Sequence, residues 1–145
     1  MRVCIDATVL ISYLLRGSDE HPPGVVVNAG LAGRFDLILN EKTLIETRQS
    51  ISSKPYLTRR ILEIDLEALA VGLGLVATII PETASPFPAV TRDPGDDYLI
   101  AHAVLEQVDY LVTGGKDLLV LGEVAGVQIV SPAGFVAILE AETGS

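Results

Sequence analysis

Carboxylates are the side chains best placed to do chemistry in this sequence of 145 residues. The acids that follow predicted strands or stand near the start of predicted helices are Asp6, Glu46, Asp93, Asp96, Asp97 and Asp117. In an open parallel sheet, ligands bind beyond the carboxyl ends of the strands, where such acids converge. Converging carboxylates raise one another's pKa values unless a cation neutralises them, and Mg²⁺ or Mn²⁺ suits an oxygen-only site. The pattern therefore predicts a metal site, and a site of this kind can activate a water molecule and stabilise the charge of a phosphodiester under attack.

Each acid also has an ordinary structural explanation. Asp is a favoured helix N-cap, so Asp96 or Asp97 could simply start a helix, and Glu46 alone is typical of a solvated helix position. Asp6 is harder to explain in this way. It abuts the aliphatic run Val3-Cys4-Ile5, where a carboxylate is poorly solvated and needs a partner.

Other kinds of site have weaker support. His21 stands in a loop beside prolines, and His102 lies in an Ala-rich helical pattern where we expect it to face solvent. The sequence contains no Gly-x-Ser-x-Gly elbow, and Cys4 lies inside a predicted strand, so nucleophilic Ser or Cys catalysis is disfavoured. Gly114 and Gly115 match neither a phosphate-binding loop nor a dinucleotide fingerprint and instead indicate a tight turn.

These acids must be positioned by alternating strands and helices. Aliphatic runs predict strands at residues 3–5, 37–39, 76–80, 110–112 and 127–130. Periodic patterns predict helices following Asp6 and Asn40 and at residues 25–32, 57–73, 96–106 and 117–121, with a last helix capped by Ser131. We expect one α/β domain over residues 1–145, a three-layer α/β/α sandwich with a mainly parallel sheet.

Composition limits the remaining possibilities. Hydrophobic residues make up 49% and aromatic residues only 5%, which indicates an aliphatic core, and a single cysteine excludes an intramolecular disulfide framework. Ten Lys and Arg against 19 Asp and Glu give a net charge of −9, which taken alone argues against a nucleic-acid partner. Because part of that excess belongs to the acidic cluster, bound cations would partly neutralise it. Neither a secretory signal nor a membrane span is apparent, so we expect a cytoplasmic protein.

Several motifs taken together resemble a known family. They are the runs at residues 3–12, 44–46, 92–97 and 109–119, together with Ile-Val-Ser-Pro-Ala-Gly-Phe at residues 129–135. In this order and spacing they resemble the PIN-domain ribonucleases, and more narrowly the VapC-like toxin components of prokaryotic toxin-antitoxin pairs. The resemblance extends over essentially the whole chain.

The resemblance implies a PIN-like fold and a Mg²⁺- or Mn²⁺-dependent endoribonuclease that cleaves single-stranded RNA. By position, Asp6 matches the first family acid and Glu46 the second. The third is Asp96 by the Arg-Asp-Pro-x-Asp pattern or Asp97 by the Asp-x-x-Ile-Ala pattern, with a slight preference for Asp96. Supporting roles fall to Thr8, Asp93 and Thr113. The resemblance further implies a cognate antitoxin, and we expect a homodimer.

Two departures from the family pattern leave a second function open. Thr8 stands where the family usually has Asn, and Gly115 replaces the fourth acid, with Asp117 as a substitute two residues on. A weakened site would make the protein an RNA-binding or protein-interaction module instead of an active toxin. A phospho-acceptor or phosphatase-like domain centred on Asp6 is disfavoured, because Lys116 and Thr113 are only ambiguous partners for such chemistry.

Overall fold

A computed structural model describes residues 1–16, 20–82 and 94–143 of the chain. The six strands within these ranges are β1 (Arg2–Ile5), β2 (Asp36–Asn40), β3 (Thr78–Ile80), β4 (Tyr110–Val112), β5 (Glu123–Val124) and β6 (Val127–Val130). The eight helices are α1 (Ala7–Arg16), α2 (Pro22–Leu31), α3 (Glu41–Ser53), α4 (Pro55–Arg60), α5 (Glu63–Val76), α6 (Pro94–Leu105), α7 (Lys116–Leu119) and α8 (Pro132–Thr143).

The strands form one sheet in the order β3-β2-β1-β4-β6-β5. Every neighbouring pair is parallel except β5 and β6, which form an antiparallel pair at one edge. The central strand β1 pairs with β4 so that Ile5 lies opposite Val112. The residues that follow these two strands, Asp6 and Thr113, therefore emerge side by side at the carboxyl edge of the sheet.

Aliphatic side chains cover both faces of this sheet. Val3 and Ile5 belong to one core cluster, with side chains from α1, α2, α5 and α8, whereas Cys4 belongs to a second cluster with α6. This alternation follows from the two-residue period of a strand. All three residues are fully buried, as expected for a parallel strand covered by helices on both sides. The prediction of a single α/β domain with a mainly parallel sheet is confirmed; its extent over residues 1–145 stays a prediction.

Some predicted boundaries are wrong. The helix predicted over residues 57–73 is two helices, α4 and α5, because Ile61 and Leu62 adopt extended backbone conformations between them. The strand predicted from Val76 begins at Thr78, since Val76 still belongs to α5. His102 is 5% exposed and does not face solvent. The residues near His102 on α6, namely Leu99, Ile100 and Ala103, are buried as well. This part of α6 therefore faces the interior of the protein.

Strand β5 was not predicted. It is joined to β6 by Ala125 and Gly126, both with positive φ, 49° and 88°, the combination that a two-residue hairpin turn requires. Other local predictions hold: the Asn40 side chain accepts a hydrogen bond from the Lys42 N–H at 2.8 Å at the start of α3. The Ser131 hydroxyl accepts one from the Gly134 N–H at 3.0 Å at the start of α8. None of the helices in the described ranges has the length and apolar character needed to span a bilayer.

Candidate active site

Asp6 lies at the carboxyl end of β1 and caps the first turn of α1. Its carboxylate is 6% exposed. One oxygen accepts hydrogen bonds from the Thr8 hydroxyl and from the Thr8 N–H at 3.0 Å, and the other accepts from the Thr113 hydroxyl. Burial raises the pKa of Asp6, while the bonds from Thr113, Thr8 and the Val9 N–H oppose that rise. The structure thus supplies the partners that a carboxylate beside an apolar strand needs.

Two threonine hydroxyls connect Asp6 to the loop that follows β4. The Thr8 hydroxyl accepts a hydrogen bond from the Gly114 N–H at 3.0 Å, and the Thr113 hydroxyl accepts one from the Gly115 N–H at 2.9 Å. Each hydroxyl therefore donates one hydrogen bond to the Asp6 carboxylate and accepts one from a backbone N–H of the loop, so it acts as both donor and acceptor. Thr8, which departs from the family pattern, has a defined place in this network.

Glu46 lies on α3 and is half-buried. Its Oε2 accepts a hydrogen bond from the Tyr98 hydroxyl at 3.2 Å, and that hydroxyl also lies 3.1 Å from the Thr43 Oγ1. Burial raises the pKa of Glu46 and the charges of Asp96 and Asp6 add to the rise, whereas the Tyr98 bond and the Lys42 ammonium oppose it. Glu46, Asp6 and Asp96 are therefore close enough to interact electrostatically.

Tyr98 is a site residue that the sequence reasoning missed. It links α6 to α3 through Glu46, and the Lys42 ammonium lies 4.5 Å from the centre of its ring. Burial raises the pKa of the phenol well above its usual range, so Tyr98 stays a hydrogen-bond donor at neutral pH. The available signal was a tyrosine next to the apolar residues Leu99 and Ile100, because a buried tyrosine hydroxyl usually has a polar partner.

The two adjacent acids at the start of α6 point to different places. Asp96 and Glu46 line one groove of about 490 Å³, together with Thr8. Asp97 is 5% exposed and lines a separate, apolar cavity of about 310 Å³ beside Val104 and Val124. Consecutive residues on a helix do not share a face. The groove therefore brings together Glu46 and Asp96, the preferred third acid, without Asp97.

The three remaining positions singled out in the sequence are Asp117, Gly115 and Asp93. Asp117 is half-buried in the first turn of the short helix α7 and makes no hydrogen bond or ion pair with other residues in the described ranges. Gly115 has φ −79°, so a side chain is conformationally allowed there, and its Cβ would lie 3.3 Å from the Thr113 Oγ1. Asp93 lies outside the described residues.

The donor chemistry suits a hard divalent cation. Asp6, Glu46 and Asp96 offer only oxygen ligands, and their mutual repulsion would be relieved by a cation. Across residues 1–16, 20–82 and 94–143, however, no three acidic, histidine or cysteine side chains stand together as a complete ligand set. The metal-binding role of the predicted acids, Asp97 and Asp117 included, stays a prediction.

A family comparison covers most of this arrangement. The family model described as PIN domain matches residues 2–117, which run from β1 into α7 and include Asp6, Glu46, Asp96 and Thr113. No curated protein matches the chain at a significant level.

Proposed function

Because the chain belongs to the PIN domain family, we propose that it is a metal-dependent endoribonuclease that cleaves single-stranded RNA. PIN domains have a nuclease-like fold and are generally metal-dependent nucleases. The observation that carries the proposal is the groove of about 490 Å³ that Glu46 and Asp96 line together with Thr8, a hydrogen-bond donor to Asp6. Carboxylates clustered beside a groove are typical of sites that bind a cation together with a phosphate.

In this proposal the acids hold Mg²⁺ or Mn²⁺ and the surrounding residues fix their positions. Asp6, Glu46 and Asp96 are the ligands, with Asp97 the alternative third acid and Asp117 a possible addition. When bound, the cation supplies Lewis-acid stabilisation of the phosphate and lowers the pKa of a water molecule. Thr8 and Thr113 fix the Asp6 carboxylate, and Tyr98 orients Glu46. A carboxylate beside the bound cation, for which Glu46 in the groove is the candidate, would accept a proton from that water.

The direct test is RNA cleavage by the purified protein. We expect cleavage of single-stranded RNA with Mg²⁺ or Mn²⁺ and none with EDTA. Asp6→Asn should keep the fold and lose at least about a hundredfold in rate. Asp36→Asn is the matched control, because Asp36 is an exposed acid at the opposite end of β2 from the site. Absence of cleavage by the wild-type protein with both metals would contradict the proposal.

We further propose that the protein is the toxin of a type II toxin-antitoxin pair, active in the cytoplasm and paired with a cognate antitoxin. The exposed apolar side chains of α5 support a protein-binding surface, for the antitoxin or for a second copy of the chain, since Ile64, Val71 and Leu75 are 73%, 63% and 82% exposed. Helix α2 offers less, because its Val26 and Val27 are fully buried against the core. Growth arrest on expression, relieved by the antitoxin, tests this role.

A second candidate function has its own support. Gly115 replaces the fourth family acid, and the described residues hold no complete ligand set. These observations favour a catalytically weakened PIN domain that acts as an RNA-binding or protein-interaction module. Gly115→Asp and Thr8→Asn separate the two. A large gain of cleavage supports the weakened module, and unchanged cleavage supports a site that is already competent.

A further inference from the structure

The groove extends beyond the acids along one face of α3. Its α3 wall is formed by Glu46, Gln49, Ser50 and Ser53, followed by Lys54 at the end of the helix. The spacing of three, four and seven residues from Glu46 places these side chains on a single helical face. Facing them are Ala7, Thr8 and Ile11 of α1. With a rise of 1.5 Å per residue, Lys54 lies about 12 Å along the helix from Glu46.

Lys54 is held in place by the corner between α3 and α4. Its N–H donates to the Ser50 carbonyl at 3.1 Å, and its own carbonyl accepts from the N–H groups of Leu57 at 2.9 Å and Thr58 at 3.0 Å. The Thr58 hydroxyl also bonds to the Ile51 and Lys54 carbonyls. The backbone of Lys54 is therefore fixed, although its side chain is exposed.

Lys54 is the one cationic residue among those that line this groove in the described part of the chain. Its ammonium makes no ion pair with any described residue. In a protein of net charge −9, a phosphate approaching Glu46 and Asp96 meets repulsion, and a cation at the far end of the groove would offset it. An unpaired ammonium at this position suits a phosphate.

The side chains between Lys54 and Glu46 have unused hydrogen-bonding capacity. Within the described ranges, the Gln49 amide and the hydroxyls of Ser50 and Ser53 make no side-chain hydrogen bond. A glutamine amide offers both donors and an acceptor in one plane, which suits the edge of a nucleic-acid base. Sequence-specific RNA recognition uses such contacts to unpaired bases.

We propose that this part of the groove is a subsite for one nucleotide that flanks the scissile phosphate of single-stranded RNA. Lys54 binds the phosphate of that nucleotide, and Gln49 hydrogen-bonds to the edge of its base. The inference rests on the proposed nuclease function and adds a binding position and a determinant of sequence preference to it. The volume of about 490 Å³ is in the range of pockets that enclose a small molecule.

The test compares Lys54→Ala with Arg48→Ala, which removes the same charge from the adjoining helix α3. Arg48 pairs with Glu63 at 3.3 Å and does not line the groove. Lys54→Ala should raise KM about fivefold and leave kcat within about twofold. It should also reduce the dependence of log(kcat/KM) on log salt by about 0.7, the value for one lost phosphate contact on a single strand. Lys54→Arg should restore both values.

Gln49→Leu tests the base contact on a pool of single-stranded RNAs of random sequence. We expect it to reduce the preference for one base beside the cleaved bond, whereas Lys54→Ala lowers cleavage of all sequences alike. Equal effects of Lys54→Ala and Arg48→Ala on KM and salt dependence would overturn the phosphate subsite. An unchanged sequence preference in Gln49→Leu would overturn the base contact.

A wild-type protein that cleaves no RNA contradicts the proposed function, and the subsite is then decided by binding. The probe is a fluorescently labelled single-stranded RNA in Mg²⁺, measured by anisotropy. About fivefold weaker binding by Lys54→Ala than by Arg48→Ala supports the subsite without the nuclease. Equal binding by these two variants, or no binding by the wild-type protein, overturns the subsite.

Discussion

The Thr113 hydroxyl donates a hydrogen bond to one carboxylate oxygen of Asp6, a residue 107 positions earlier in the chain. The contact exists because β1 and β4 are parallel neighbours with Ile5 opposite Val112. Thr8 donates to the other oxygen from the same turn. A buried carboxylate with fixed donors on both oxygens cannot rotate freely, so the position of Asp6 is set before any ligand binds.

Removing the Thr113 hydroxyl should destabilise the protein. Thr113→Val keeps the shape of the side chain but leaves one oxygen of Asp6 and the Gly115 N–H without this partner. We expect a loss of about 1–3 kcal/mol in the free energy of unfolding at pH 7, measured by urea denaturation. Thr113→Ser, which keeps the hydroxyl, should lose less. Equal stability of Thr113→Val and the wild-type protein would contradict this account of the network.

Metal removal should expose the cost of the buried Asp6 charge. Because burial raises the pKa of Asp6, ionisation is harder in the folded than in the unfolded protein. The contribution of Asp6 to stability therefore decreases as pH rises from 3.8, the ordinary pKa of an aspartate, through the higher pKa of Asp6 in the folded protein. In EDTA, the wild-type protein should lose more stability between about pH 5 and pH 7 than Asp6→Asn, which has no charge to bury.

Adding metal should stabilise the wild-type protein more than Asp6→Asn. Mg²⁺ at about a hundredfold excess over its Kd should stabilise the wild-type protein by about 2.7 kcal/mol, and Asp6→Asn by much less. Thermal unfolding with and without Mg²⁺ measures both effects. The same shift in Tm for the two proteins would argue against Asp6 as a ligand.

His102 should make stability fall below neutral pH. Burial lowers its pKa, although the nearby Glu106 opposes the shift, and its Nε2 has no hydrogen-bond partner among the described residues. His102 is therefore protonated more readily in the unfolded than in the folded protein. The stability that the neutral His102 contributes is complete above pH 6.5, and it is lost as pH falls through the pKa of His102 in the folded protein. Denaturation at pH 7.5 and pH 5.5 should show a smaller difference in His102→Leu than in the wild-type protein.

Tyr98 should act as a positioning residue for Glu46. Tyr98→Phe removes the hydroxyl that donates to Glu46, and we expect kcat for RNA cleavage to fall about tenfold. Thr43→Val is the matched control, because it removes the other partner of the same hydroxyl and leaves the bond to Glu46. A similar loss in both variants would indicate a general packing defect instead.

Helix α5 should provide the homodimer contact. Ile64, Val71 and Leu75 recur at seven and eleven residues, which places these exposed apolar side chains along one stripe. Val71→Lys combined with Leu75→Lys should convert a dimer into a folded monomer, as judged by sedimentation. A wild-type protein that sediments as a monomer would contradict the expected homodimer.

Much of the fold could be predicted because buried parallel strands are short aliphatic runs. Residues 110–112 and 127–130 were predicted with the bounds that β4 and β6 have. Strand β5 was missed because its two residues, Glu123 and Val124, are too few to show the alternation of apolar and polar side chains that is typical of a strand. The only sequence signal for the turn was Ala125-Gly126. The break at Ile61 was missed because an apolar residue there continues the helical pattern.

The residue types of the candidate site could be predicted from the sequence, but most of the contacts between them could not. The position of Asp6 after an aliphatic strand indicated that it needed a partner, but only the pairing of β1 with β4 identifies Thr113. Sequence spacing alone left either Asp96 or Asp97 as the third acid. In the structure the two side chains line different cavities, because they are consecutive residues of one helix. His102 was expected to face solvent from an Ala-rich helix, whereas the nearby residues Leu99, Ile100 and Ala103 are buried with it.

The pairing of β1 with β4 also has a consequence for synthesis. The ribosome synthesises Asp6 more than a hundred residues before Thr113 and the strand that carries it. A nascent or truncated chain that ends before Tyr110 has the first acid without the strand beside it. The network around Asp6 can therefore assemble only after β4 has been synthesised, so premature termination before β4 would release fragments with an incomplete site.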